Sequence, residues 1–205
     1  IKQVSVHDFL TKNYDHPVYV QLDVLDYNRR IDSIEPQGNE DFFKNPDKYV
    51  SDFERFTKVT DMYIAGHFHG NGSPDILTNE MLNSGTNKIK VVADISCDVD
   101  GPIASTLRSS TIAEPFYGYN PSTQQETDMH HPAALVVMAV DNLPCELPRD
   151  ASEGFGEMFL EHVIPAFYNS DKDGILQRSK IVEKGKLTSR FKYLTGYVEE
   201  NVPHL

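Results

Sequence analysis

The chain is short of basic residues, of cysteine and of long apolar runs, and each shortage excludes a class of function. Lys and Arg number 19 against 31 Asp and Glu, for a formal charge of −12. Such a surface repels a phosphate backbone, so nucleic acid is not an expected partner. Two cysteines, Cys97 and Cys145, are too few for a disulfide framework. They read as reduced thiols, which points to the cytoplasm. No apolar stretch approaches the roughly 18 residues of a membrane span. The opening residues Ile1-Lys2-Gln3-Val4 have neither the basic start nor the apolar run of a signal peptide.

What is present suits one domain with an appendage: 205 residues, 39% of them hydrophobic. Val18 to Val24 is β-branched and apolar, and predicts a strand. Phe42 to Phe56 predicts a helix, with Tyr49, Val50, Phe53 and Phe56 on one stripe and Asn45-Pro46 as a start or a break. Met62 to Ala65 predicts a short buried strand that runs into a Gly-rich loop from Gly66 to Gly72. Ser73-Pro74 predicts the start of a helix that ends near Asn83, closed by Gly85. Lys88 to Ser96 and Leu135 to Val140 are two further apolar strands. Runs apolar on both faces suit a parallel sheet covered on both sides. Asp150-Ala151-Ser152-Glu153 resembles a capping box. It would open a long helix carrying Phe155, Phe159, Val163 and Phe167, and a short helix is expected around Ser189 to Val198. The expected fold is therefore α/β. A Rossmann-like parallel sheet, incomplete and holding only the C-terminal part of that fold, fills residues 1–148. A C-terminal helical segment fills 149–205.

In open α/β sheets, ligands sit beyond the carboxyl ends of the parallel strands. Three such ends carry polar or small residues: Ala65-Gly66-His67-Phe68, Asp94-Ile95-Ser96-Cys97-Asp98 and Val140-Asp141-Asn142-Leu143. Any one of them is explained by loops being polar; three at successive ends point to a site. Other motifs lead nowhere. Gly66-His67-Phe68-His69 imitates a metallophosphoesterase loop, but the other motifs that complete such a site are missing, so His67 and His69 read as a loop lining the adenine side of a cofactor or as exposed. Asp128, His130 and His131 lack a further ligand at useful spacing. Asn169-x-Asp171-x-Asp173-Gly174 begins like a calcium loop, yet its twelfth position is Lys180. No metal is expected. Neither cysteine has the His and Asn of a nucleophilic site. Arg108 and Arg149 could meet a substrate carboxylate or simply pair with nearby acids such as Asp150 and Glu153.

Val91-Val92-Ala93-Asp94-Ile95-Ser96-Cys97-Asp98, Ser110 to Phe116, and the run Asp141-Asn142-Leu143-Pro144 with Leu147-Pro148-Arg149-Asp150-Ala151-Ser152 together resemble the saccharopine dehydrogenase family. That family includes the lysine–ketoglutarate reductase half of the bifunctional enzyme. Asp61 to Gly66 and Glu80 to Asn83 align as well, so the resemblance extends over about residues 58–198. It implies an oxidoreductase that forms saccharopine from lysine and 2-oxoglutarate, or oxidises it, with NAD or NADP. By matching position, Phe68, Ile95, Val140, Asp141, Asn142 and Leu143 would line the dinucleotide, and Ser96, Cys97 and Asp98 would face the amino acid.

This chain lacks the Gly-x-Gly-x-x-Gly phosphate fingerprint. It also lacks the Lys and His that serve the family as acid and base. No catalytic residue is therefore expected in it, and a missing N-terminal half is the expected partner. Asp23 and Asp26 are candidates for the ribose-binding acid, while Arg29 and Arg30 could meet a 2′-phosphate; all four are also explained as a solvated loop. An alanine dehydrogenase or transhydrogenase-like enzyme and a non-catalytic nucleotide-binding relative are the rival readings.

Overall fold

A computed structural model describes residues 1–70 and 72–201, the side chains of Glu200 and Asn201 excepted. Asn71 of the Gly-rich loop and 202–205 of the C-terminal segment lie outside the described residues. The chain divides into two compact units, Ile1–Leu143 and Pro144–Leu205.

The first unit contains β1 (Lys2–Gln3), α1 (Val6–Thr11), β2 (Val18–Tyr19), β3 (Asn28–Arg30), α2 (Asn39–Lys44), β4 (Tyr49–Ser51), α3 (Glu54–Thr57), β5 (Met62–Ala65), α4 (Asn79–Leu82), β6 (Val91–Asp94), β7 (Phe116–Asn120), β8 (Gln125–Thr127) and β9 (Leu135–Met138). The second contains α5 (Pro148–His162), α6 (Ile164–Tyr168), α7 (Ile175–Ser179), β10 (Val182–Glu183), β11 (Lys186–Leu187) and α8 (Thr195–Asn201).

The first unit is built on a five-stranded sheet of order β5-β6-β9-β7-β8. β5, β6 and β9 run parallel, in the register Ala65↔Asp94 and Val92↔Val137. β7 runs antiparallel to β9 and forms a hairpin with β8. The three apolar runs thus form the parallel strands expected of the C-terminal part of a Rossmann-like sheet, and an antiparallel hairpin extends them.

Alternation along the strands separates two faces. Tyr63, Ala65, Val92, Leu135, Val137, Tyr117 and Tyr119 share one face. They pack there with Phe53, Phe56, Ile76, Leu77, Leu82 and Ile103 as the core. On the other face Met62 (54%), Ile64 (62%) and Phe116 (51%) are exposed. That face is open along β5 and at Phe116 of β7, whereas Ala93 of the central strand β6 is buried on it.

Three expected elements take another form. Only Val18–Tyr19 of the Val18–Val24 run is strand, paired with β1 in a separate two-stranded sheet, and Val24–Asp26 is a 3-10 turn. The Phe42–Phe56 helix is broken at Asn45-Pro46, because proline cannot continue a helix. Tyr49–Ser51 pairs instead with Asn28–Arg30. The apolar stripe still reports burial, since Tyr49, Phe53 and Phe56 are all in the interior.

The Ser73–Asn83 helix is confined to α4, with Thr78 as its N-cap. Upstream, the backbone N–H groups of Ile76 and Leu77 both donate to Pro102 O at 3.0 Å, and Ala104 N donates to Leu77 O at 2.9 Å. Backbone engaged with another segment is not available for a helix.

In the second unit α5 begins earlier than the capping box implied. Pro148 is at its first turn, and Asp150 is an acidic residue inside that turn. Both favour a helix N-terminus. α6 follows, so Val163 and Phe167 stand beyond the first helix. Among the described residues no helix is long and apolar enough to cross a membrane.

Candidate functional site

The carboxyl ends of β5, β6 and β9 lie side by side. Asp94, the last residue of β6, points to the core face and is fully buried. A buried carboxylate requires hydrogen-bond donors, and the following loop supplies them. Asp94 Oδ1 accepts from Ser96 N at 3.0 Å, Ser96 Oγ at 2.6 Å and Cys97 N at 3.3 Å. Asp94 Oδ2 accepts from the buried Thr106 hydroxyl at 2.6 Å. The loop therefore curls back over the end of its own strand.

That curl puts Cys97 in the left-handed region, at φ 54°. Its Sγ lies 3.2 Å from Asp94 O and 3.3 Å from Val140 O, so the thiol proton can reach either carbonyl. Cys97 ties the end of β6 to the residues that follow β9. Burial pushes its thiol up, and Asp94, Asp141 and Asp98 add to the rise. A protonated thiol at neutral pH is a hydrogen-bond donor rather than a nucleophile. On the β5 side, Ile95 N donates to Ala65 O at 2.8 Å. Beyond β9, Ser110 N donates to Ala139 O at 2.8 Å, and Ser110 Oγ accepts from Ala139 N at 3.0 Å.

Of the residues predicted from the sequence, Ile95, Ser96, Cys97, Asp98, Val140, Asp141, Asn142 and Leu143 fall at these strand ends. Phe68 follows β5 and is 84% exposed, and Asp98, Asp141 and Asn142 are exposed. The Val140 side chain is buried, so it offers a ligand only its backbone. Asp23 stands apart. It follows β2 and precedes the 3-10 turn, where its N–H donates to Asp26 Oδ2 at 2.8 Å. Arg30 is engaged by Asp32 and Asp41, while Arg29 is exposed. Arg108 holds both oxygens of Glu126 at 2.8 Å. Arg149 is exposed and, among the described residues, forms no ion pair.

From the sequence Asp94 and Ser110 have no role, and His67 falls in a loop that lines the adenine side of a cofactor or is exposed. For Asp94 the signal is a carboxylate at an inward position of an otherwise apolar strand. For His67 no sequence signal exists. Its Nδ1 and Nε2 are both buried without a hydrogen-bond partner. Burial pushes its imidazole down; Asp94 and Asp98 oppose this, and His69 adds to it. Among the described residues no group of three or more His, Cys, Asp or Glu could hold a metal ion.

The arrangement offers backbone groups, a hydroxyl and the exposed carboxylates of Asp98 and Asp141 at neighbouring strand ends. Such a surface favours a ligand that is cationic there, as an oxidised nicotinamide ring is, and it supplies orienting hydrogen bonds.

No family profile matches the chain. Among curated proteins it is similar to alpha-aminoadipic semialdehyde synthase of Arabidopsis thaliana, 29% identical over 168 residues, or 78% of this chain and 16% of that protein. It is 25% identical over 180 residues to mitochondrial alpha-aminoadipic semialdehyde synthase of Mus musculus, covering 75% of this chain and 19% of that protein. It is 30% identical over 131 residues to the NAD(+), L-lysine-forming saccharopine dehydrogenase of Schizosaccharomyces pombe, covering 61% of this chain and 33% of that protein. The resemblance read from the strand-end motifs is thus borne out. The chain spans a third or less of each of these relatives.

Proposed function

We propose that this chain forms part of an oxidoreductase that makes saccharopine from lysine and 2-oxoglutarate, or oxidises it, with NAD or NADP. The observation that carries the reading is the Asp94–Ser96–Cys97–Asp98 curl beside Val140-Asp141. It lies at the end of parallel strands, where ligands of α/β sheets bind, and within the segment shared with the relatives. When bound, the nicotinamide cofactor supplies hydride exchange with the carbon that joins the two substrates. The residues of this chain bind and orient. Asp94 fixes the loop. Ile95, Val140, Asp141, Asn142 and Leu143 form one wall for the dinucleotide, with Phe68 as a further contact. Ser96, Cys97 and Asp98 face the amino acid.

The acid and base belong to another part of the protein. The edge strand β5 and the exposed Met62, Ile64 and Phe116 are the features that such a part would cover. The test uses the full-length protein with lysine, 2-oxoglutarate and either NADH or NADPH, followed by absorbance of the reduced nicotinamide. Oxidation that requires both carbon substrates is expected, and the preferred dinucleotide fixes the cofactor. Dinucleotide binding without that oxidation would refute the reaction and favour a non-catalytic relative or another amino-acid substrate.

A further inference from the structure

The end of β9 is held by two residues that follow β6. The ladder between β9 and β7 closes at Met138↔Phe116, and β6 pairs with β9 only as far as Ala93↔Met138. Ala139 comes next and is fully buried, so both of its backbone groups require partners. Ser110 supplies them. Its N–H donates to Ala139 O at 2.8 Å, and its Oγ accepts from Ala139 N at 3.0 Å. The same hydroxyl donates to Pro115 O at 2.9 Å. It thus uses its proton and a lone pair together, between the residue before β7 and the residue after β9. One position further on, Cys97 Sγ stands 3.3 Å from Val140 O.

Ser110 is itself buried, so it acts through the backbone rather than on a ligand. Ala139 and Val140 lead directly into Asp141 and Asn142, which are exposed. Among the described residues neither of those two side chains forms a hydrogen bond or an ion pair. Their placement therefore depends on the backbone that Ser110 and Cys97 hold.

We infer that Ser110 is a positioning residue for the dinucleotide: it fixes the end of β9 and, through it, the wall at Val140, Asp141 and Asn142. The inference rests on the function proposed above and adds a residue to it. Two supports then serve two ligands. Asp94 holds the Ser96–Cys97 loop on the amino-acid side, whereas Ser110 holds the dinucleotide wall. Loss of the Ser110 hydroxyl should act on one ligand and spare the other.

The experiment compares full-length wild type, Ser110→Ala, Ser110→Cys and Thr57→Val, each titrated with whichever of NADH and NADPH the wild type binds. Ser110→Ala strands the Ala139 N–H and the Pro115 carbonyl. Its dinucleotide affinity should fall about three- to tenfold, the weight of one such hydrogen bond. At saturating dinucleotide its turnover, and its KM for lysine and 2-oxoglutarate, should match the wild type. Ser110→Cys keeps the size and a weaker donor and acceptor, so its affinity should lie between the two. It carries the same comparison with wild type should Ser110→Ala fail to fold. Thr57→Val removes another buried hydroxyl, which donates to Glu54 O at 2.9 Å ahead of β5. It should lower the melting temperature and leave dinucleotide affinity unchanged.

Equal dinucleotide affinity in the wild type and the Ser110 variants would overturn the inference and leave the proposed function standing. So would an equal loss in Thr57→Val, which would report stability alone, or a rise in the KM for lysine and 2-oxoglutarate as large as the loss of dinucleotide affinity. A wild type that binds neither dinucleotide would bring down the proposed function and this inference together.

Discussion

The Asp94 carboxylate and the Thr106 hydroxyl meet at 2.6 Å with both residues buried. Asp94 thereby joins the strand-end loop to the segment that follows it, since its other oxygen holds Ser96 and Cys97. Replacing it with Ala leaves several donors unpaired, which costs about 3 kcal/mol or more. Asp94→Asn keeps one acceptor for the loop and can still donate to Thr106, so its cost is about 1–2 kcal/mol. Urea unfolding should rank wild type, Asp94→Asn and Asp94→Ala in that order. Equal stability of the two variants would show that the loop does not depend on these bonds.

Gly101 lies under the same loop. Its N–H donates to Asp98 O at 3.0 Å. A Cβ there would come within 2.6 Å of both Asp98 Cβ and Asp98 O. Those atoms include backbone, so the turn itself must move. Gly101→Ala is expected to cost about 1–3 kcal/mol and to weaken ligand binding together with stability, because Asp98 is displaced. Gly85 meets nothing within 4 Å, so Gly85→Ala is the control for the effect of adding a methyl group. Ligand affinity equal in the two variants would detach Asp98 from the site.

The three parallel strands were legible because continuous apolar runs have few other uses, and the polar residues that end those runs were legible as neighbours at the carboxyl ends of the strands. The remainder depends on pairing that no local pattern encodes. Val20 to Val24 has strand-forming residues, yet only Val18–Tyr19 finds a partner, in Lys2–Gln3. Ile76 and Leu77 sit in a stretch with helical signals, but their backbone is bound to Pro102. Phe116–Asn120 becomes a strand because Tyr117 and Tyr119 bury beside Val137 and Leu135 across the register. His67 illustrates the same limit at the site. A histidine in a Gly-rich loop reads as exposed until the neighbouring strand end is placed beside it.

Arg30 supports stability in a way that acid should remove. It donates to Asp32 at 2.8 Å and to Asp41 at 2.6 Å, and Asp41 also accepts from the Tyr49 hydroxyl at 2.6 Å. The Arg30 guanidinium holds Asp32 well below the ordinary carboxylate range. The Tyr49 hydroxyl and then Arg30 do the same for Asp41. A carboxylate lowered in the folded state contributes stability that is present above its unfolded value of about 4, and that stability is lost as pH falls through the lowered folded value. Arg30→Met should therefore melt below wild type at neutral pH, and the gap should narrow as pH drops below about 4. A gap that stays constant with pH would mean that only packing was lost.

Cys97 and Cys145 should differ in reactivity. Cys145 is exposed, whereas Cys97 is half-buried with its Sγ between Asp94 O and Val140 O. Burial, helped by three nearby carboxylates, pushes the Cys97 thiol up. Alkylation proceeds through the thiolate, and each unit of upward shift removes about tenfold of it at neutral pH. Iodoacetamide should therefore label Cys145 first in the folded protein. Cys97 should follow slowly, at a rate that climbs as pH passes above the ordinary thiol value of about 8.5. In denaturant the two should react alike. Peptide mapping by mass spectrometry reads both sites in one sample. Equal labelling of the folded protein would mean that Cys97 does not bridge the ends of β6 and β9. A saturating dinucleotide that further slows Cys97, and leaves Cys145 unaffected, would place the ligand over the loop that Cys97 closes.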